Sequence, residues 1–153
     1  MKILFPFLIV FAVFFASCSP VGGYKEIVKF DDYKMPKDSV FTFEFNNEDP
    51  TQLYDVSLMF RYATGFQFQQ MVFELTHNTS VSDGFPIYIG VQTVDKDYKY
   101  LGDGSGDLWD IEQKILKSQA LPKGKNSFLI KSGMPQDFVP LVMAVGVKIK
   151  PCK

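Results

Sequence analysis

The sequence predicts an all-β protein, an antiparallel β-sandwich of jelly-roll or immunoglobulin-like type, following an N-terminal export segment. Three observations carry that expectation. Apolar residues alternate with polar ones over short runs, the period that places one face of a strand in a core. Turn-rich breaks separate these runs: Asn46–Pro50, Asn78–Gly84, Gly102–Gly106, Pro122–Asn126 and Gly133–Asp137. Apart from the ambiguous Leu108–Leu116, no helical pattern intervenes that would connect parallel strands, so the strands are expected to pair antiparallel as in a sandwich.

The elements follow in order. Lys25–Phe30 reads as a short first strand. In Ser39–Asn46, Phe41, Phe43 and Phe45 share one face. Leu53–Tyr62 sets Tyr54, Val56, Leu58, Phe60 and Tyr62 against Asp55, Ser57 and Arg61. Phe68–Thr76 puts Met71, Phe73 and Leu75 together, and Phe85–Asp95 does the same with Ile87, Ile89 and Val91. Leu108–Leu116 is open to two readings. Leu108, Ile111 and Ile115 suit a helix, whereas Trp109, Ile111, Gln113 and Ile115 suit a strand. Strand is favoured, because a lone helix would need its own docking face. Ser127–Lys131 and Val142–Lys150 complete the set, the latter with Val145, Val147 and Ile149 on one side.

Composition limits the function. The 153 residues fit one domain, and a formal charge of −1 excludes a basic nucleic-acid footprint. One histidine, His77, and two cysteines, Cys18 and Cys152, leave little for a metalloenzyme or a disulfide scaffold. No cofactor is expected.

The N-terminus is more specific. Ile3–Ala16 carries no charge and is too short for a membrane span of about 20 residues, but long enough for a signal-peptide core of about 7–15. It runs into Phe15-Ala16-Ser17-Cys18, a lipobox pattern. The small Ala16 and Ser17 admit the signal peptidase, and the Cys18 thiol takes a diacylglyceryl group. Phe15 stands where a leucine is usual. The expected organisation is a cleaved lipoprotein signal peptide over 1–17, an acylated tether over 18–23 and a single β-sandwich over 24–153. With Cys18 acylated, Cys152 has no intramolecular partner and is expected near a frayed end.

Motifs for chemistry are weak. Asp103, Ser105 and Asp107 sit at positions one, three and five of a calcium loop, but Leu108 and Lys114 stand where the loop needs glycine and glutamate. Asp103 and Asp107 are therefore feeble metal candidates, more simply read as turn residues. A catalytic triad would have to use His77, and no Gly-x-Ser-x-Gly motif is present. A carboxylate pair for glycoside hydrolysis leaves no mark in sequence. Tyr98, Tyr100 and Trp109 flank the glycine loop and could present a partner or ligand surface; the plainer reading packs Trp109 over the loop.

Taken in order, the lipobox, Tyr24…Phe30, Lys37-Asp38-Ser39-Val40 with Phe43 and Phe45, Leu58…Arg61-Tyr62, Tyr100-Leu101-Gly102-Asp103-Gly104-x-Gly106-Asp107 and Val145-Gly146-Val147-Lys148-Ile149 resemble the gliding-motility lipoproteins of GldH type from the Bacteroidetes. The likeness covers roughly Tyr24–Lys150, and its most specific part is the glycine loop with the Trp109–Ile115 run. The terminal Pro151-Cys152-Lys153 falls outside it. The resemblance implies a non-enzymatic accessory protein of the gliding and type IX secretion machinery. Such a protein would be lipid-anchored to an envelope membrane, on the periplasmic side or at the outer membrane, beside other envelope proteins. It brings no catalytic residue to carry over. In hosts that do not glide it implies an envelope or secretion accessory. The alternative from a different class is a carbohydrate-binding envelope lipoprotein.

Overall fold

A computed structural model describes residues 23–152. The segment expected to be a signal peptide and Cys18 lie outside the described residues, as does Lys153. Eleven strands form: β1 (Tyr24–Lys29), β2 (Lys34–Pro36), β3 (Phe41–Asn47), β4 (Leu53–Ala63), β5 (Gln70–Thr79), β6 (Ile87–Gln92), β7 (Asp103–Ser105), β8 (Leu108–Ala120), β9 (Gly124–Ser132), β10 (Phe138–Pro140) and β11 (Val142–Pro151). No helix forms among the described residues.

The long strands make two antiparallel sheets, β1-β11-β4-β8-β7 and β3-β9-β5-β6. The pairing is nested: β1 with β11, β3 with β9, β4 with β8, and β5 with β6. This is one long folded hairpin, rolled so that successive pairs fall in alternate sheets. It is a jelly roll, whereas an immunoglobulin domain would join sequence neighbours into hairpins within each sheet. The segment Leu108–Ala120 is a strand throughout, and Asp110, Glu112 and Lys114 on its outer face pair with Arg61, Lys148 and Asp55.

The core lies between the sheets. Val56, Leu58, Phe60, Tyr62, Val145, Val147 and Ile149 face Phe43, Met71, Phe73, Phe128 and Ile130, all essentially without exposure. These are the faces the alternation predicts. Ile87 differs. Val91 of the same run is buried, but Ile87 is 50% exposed, because β6 is the outermost strand and its first residue lies beyond full cover of the opposite sheet.

The three-residue strands carry no period of their own. β2 and β10 pair into a ribbon whose Met35 and Val139 close the core at the end away from the N-terminus. β7 forms a tight hairpin with β8, register Ser105↔Leu108. Gly106 is the first of its two loop residues, at φ 61, as a two-residue hairpin favours.

Cys152 is tied down rather than frayed. Pro151 pairs with Tyr54, and the Cys152 N–H donates to the Leu53 carbonyl at 2.8 Å. The register also brings the start of β1 beside the end of β11, since Tyr24 pairs with Ile149.

Candidate interaction surface

The end remote from the N-terminus is built by the β4–β5 loop, the β6–β7 connection and the β7–β8 hairpin. Tyr62 organises it from within. Its ring is buried, and its hydroxyl sits 2.7 Å from both the Thr93 and Leu101 carbonyls. Burial pushes its pKa up to about 12.

Tyr100 packs at a tilt outward of Tyr62, 6.0 Å between ring centroids, and Trp109 follows at 5.3 Å from Tyr100. Both are half-buried against the core. Their polar atoms are occupied: the Gly65 N–H donates to the Tyr100 hydroxyl at 2.8 Å, and the Trp109 indole N–H donates to Thr64 Oγ at 3.1 Å. Trp109 lies over Gly104, where an added Cβ would meet the ring at 2.9 Å. Gly104 is thus small to admit the indole, whereas Gly102 and Gly106 are needed for positive φ.

Tyr98 stands apart, 73% exposed and at φ 59. Its turn is held by Asp95, whose Oδ1 accepts from the N–H groups of Asp97 and Lys99 at 2.8 and 3.0 Å. An aromatic residue in the left-handed region is strained by roughly 1–2 kcal/mol. Tyr98 and Tyr100, with Phe66 and Phe68, border a depression of about 290 Å³. A larger open groove of about 590 Å³ runs between β6 and the β7–β8 hairpin, where Gln113 Nε2 donates to the Gly90 carbonyl at 3.3 Å.

The residues considered for catalysis or metal binding are dispersed. His77 sits at the other end of the sandwich, stacked on Phe128 at 4.3 Å and 3°. Its Nε2 lies 3.1 Å from Asn126 Oδ1. Burial lowers its pKa, against a smaller opposing effect of the Asn126 hydrogen bond. The folded state therefore favours neutral imidazole. Stability is full above the unfolded pKa of about 6.5 and falls as pH drops through the lower native value, with a slope of at most one proton. Thermal melts across that window are expected to show the decline in the native protein and not in His77→Gln. His77→Ala is expected to fold and to retain cellular function. A folded His77→Ala variant without function would return the histidine to catalysis.

Asp103 lies across from Asp110, whose carboxylate is clasped by Arg61 at 2.7 and 2.8 Å. Among the described residues, no group of three or more His, Cys, Asp or Glu is placed to hold a metal ion. Cys152 is a free thiol, its Sγ 3.5 Å from Asp55 Oδ1 and 3.6 Å from Ser118 Oγ. Lys114 and the Ser118 N–H hold Asp55 down to about 2.

Sequence reasoning missed two buried asparagines at the N-terminal end. Asn47 Nδ2 donates to the Leu121 carbonyl at 2.7 Å, and Asn47 Oδ1 accepts from the Tyr54 hydroxyl at 2.9 Å. Asn126 Nδ2 donates to the carbonyls of Pro122 and Gly124 at 2.9 and 3.0 Å. Both sit in stretches whose composition signals only a turn.

No curated protein sequence matches the chain. Among solved structures, a chain described as "Structure of infectious bursal disease virus Gx strain" is similar at 17% identity and a TM-score of 0.37, covering 84% of this chain and 32% of that one. The family described as GldH lipoprotein matches over residues 23–149, which is almost the whole β-sandwich. That span takes in the glycine loop and every long strand save the last two residues of β11, and the chain belongs to the GldH lipoprotein family.

Proposed function

We propose that this protein is a non-enzymatic accessory of the gliding-motility and type IX secretion machinery, held at an envelope membrane by acylated Cys18. Its jelly-roll domain would act by binding other envelope proteins. The observation that carries the reading is the family match across residues 23–149, beginning five residues after the lipobox cysteine. Two features support it. The Phe15-Ala16-Ser17-Cys18 pattern offers a thiol for acylation at the start of the tether. A single acyl chain binds only marginally, whereas two or more give stable attachment. The carboxylates of Asp110 and Asp55 are engaged by Arg61 and Lys114, and the Asp55 carboxyl is held well below the usual range rather than kept protonated for acid catalysis. The surface we assign to partners is the remote end, with Tyr98 outermost and Tyr100 and Trp109 behind it.

Cys18→Ser tests the anchor. The variant is expected to leave the membrane fraction entirely, with the domain still folded. Membrane association of the unlipidated variant that survives high salt would refute the anchor. Affinity capture of the lipidated protein is expected to bring down components of a motility or secretion complex.

A carbohydrate-binding role remains a second reading, favoured by the aromatic depression beside Tyr98. It requires glycan binding that Tyr98→Ala abolishes; the accessory role requires none.

A further inference from the structure

The anchor and the fold together restrict which end of the sandwich meets the bilayer. Tyr24 opens β1 opposite Ile149, so the tether leaves the domain where β11 finishes, β4 begins and β8 finishes. The four-stranded sheet contributes Asn47, Gly124 and the loop after Thr79 to the same end, joined to it through Asn47 and Leu121 and through the Ser80 hydroxyl on the Lys123 carbonyl at 2.9 Å. From Cys18 to Gly23 the chain reaches at most about 18 Å. The 11 residues of β4 alone span roughly 36 Å. The tether is thus too short for the domain to stand inverted, with the Tyr98 end on the membrane.

That N-terminal end is apolar beyond what folding requires. Val81, at the tip of the β5–β6 loop, is 78% exposed, and Phe85, on the returning limb of the same loop, is 89% exposed. They are the two most exposed large hydrophobic residues of the domain, and Leu53, at the start of β4, adds 42%. Exposed Lys117, Lys123 and Lys150 lie at the same end, together with Glu48, Asp49 and Asp83, the last between Val81 and Phe85 in the loop. Apolar side chains set among charges of both signs suit the boundary between acyl chains and headgroups. A tether of this length holds such a surface at an effective concentration in the millimolar range, so weak contacts are enough to orient the domain.

We propose that the N-terminal end of the sandwich is a membrane-seating surface. Val81 and Phe85 rest in the lipid headgroup region, and the Tyr98 end points away from the bilayer. This rests on the Cys18-anchored reading.

The test uses the lipidated protein in phosphatidylethanolamine/phosphatidylglycerol vesicles. A single environment-sensitive fluorophore is placed by Val81→Cys, Phe85→Cys or Tyr98→Cys, each in a Cys152→Ser background. Flotation of the vesicles reports the anchor independently of the fluorophore. The labelled 81 and 85 positions are expected to blue-shift and brighten several-fold on vesicles, with no change at 98. Equal, water-like emission at all three positions in floating protein would overturn the seating surface while leaving the anchor intact. A signal at 81 and 85 that appears only on adding membrane proteins would assign the surface to a protein partner and overturn the lipid contact. Protein that fails to float would overturn the anchor and the seating surface with it.

Discussion

Phe60→Ala is expected to lower stability by about 3–5 kcal/mol, the range for deleting a large buried aromatic side chain. Phe60 is 1% exposed and sits at the centre of an aromatic cluster. Its ring stacks on Tyr62 at 5.3 Å and meets Phe73 and Phe66 edge-on at 5.3 and 5.9 Å. These neighbours come from β4 itself, from β5 in the other sheet and from the β4–β5 loop, so no single element can move in to fill the space. A domain of this size is stable by about 5–15 kcal/mol, so the variant would stand near the limit of folding. Urea unfolding measures it as a lower midpoint at an unchanged slope. Phe85→Ala is the control: 89% exposed, it is expected to stay within about 0.5 kcal/mol of the native protein in solution. A Phe60→Ala loss below about 1.5 kcal/mol would mean that the two sheets close over the gap, contrary to a packed core.

The glycine loop gives the second large effect, as a ranked series. Gly102 has φ 102, and an added Cβ would stand 2.4 Å from the Asp110 carbonyl oxygen, a backbone atom of the paired strand. Gly102→Ala combines backbone strain with overpacking and is expected to cost about 3 kcal/mol or more. Trp109→Ala uncovers Gly104 and frees Thr64, for about 3 kcal/mol, at the low end for such a truncation because the ring is half-buried. Gly106 has φ 61 with no atom within 4 Å of an added Cβ, so Gly106→Ala carries only the left-handed penalty of about 1 kcal/mol. Melting temperatures should fall in that order. A thermally silent Trp109→Ala that abolishes complex assembly would instead make the indole a binding hot spot.

How far the fold is legible in sequence depends on strand length. The long strands alternate over five or more residues, and an inward row such as Val56, Leu58, Phe60 and Tyr62 can only be a buried face. β2, β7 and β10, at three residues each, are too short to show a period, and longer neighbours dictate their pairing. Several turns are also hidden. Tyr33, Tyr98, Ser118 and Leu141 take positive φ without being glycine, so composition gives no warning of them. At the candidate surface, sequence gathers Tyr98, Tyr100 and Trp109 around the glycine loop, and the structure does bring Tyr100 against Trp109. Which ring stays open is decided by Thr64 and Gly65, distant in sequence. The choice between jelly roll and immunoglobulin fold is equally non-local, since it lies in which strands pair.

The place of β1 at the sheet edge has a mechanical consequence. The strand bonds only to β11, over six register pairs from Tyr24↔Ile149 to Lys29↔Ala144, and its first residue is the one nearest the tether. Ladder hydrogen bonds run perpendicular to the strands. When the anchor holds the N-terminus and a load acts on the remote end, tension runs along the strand axis and shears all six pairs at once. A sideways pull would unzip them one after another. Joined at this point and loaded in this direction, the domain passes force to its anchor through its most resistant geometry.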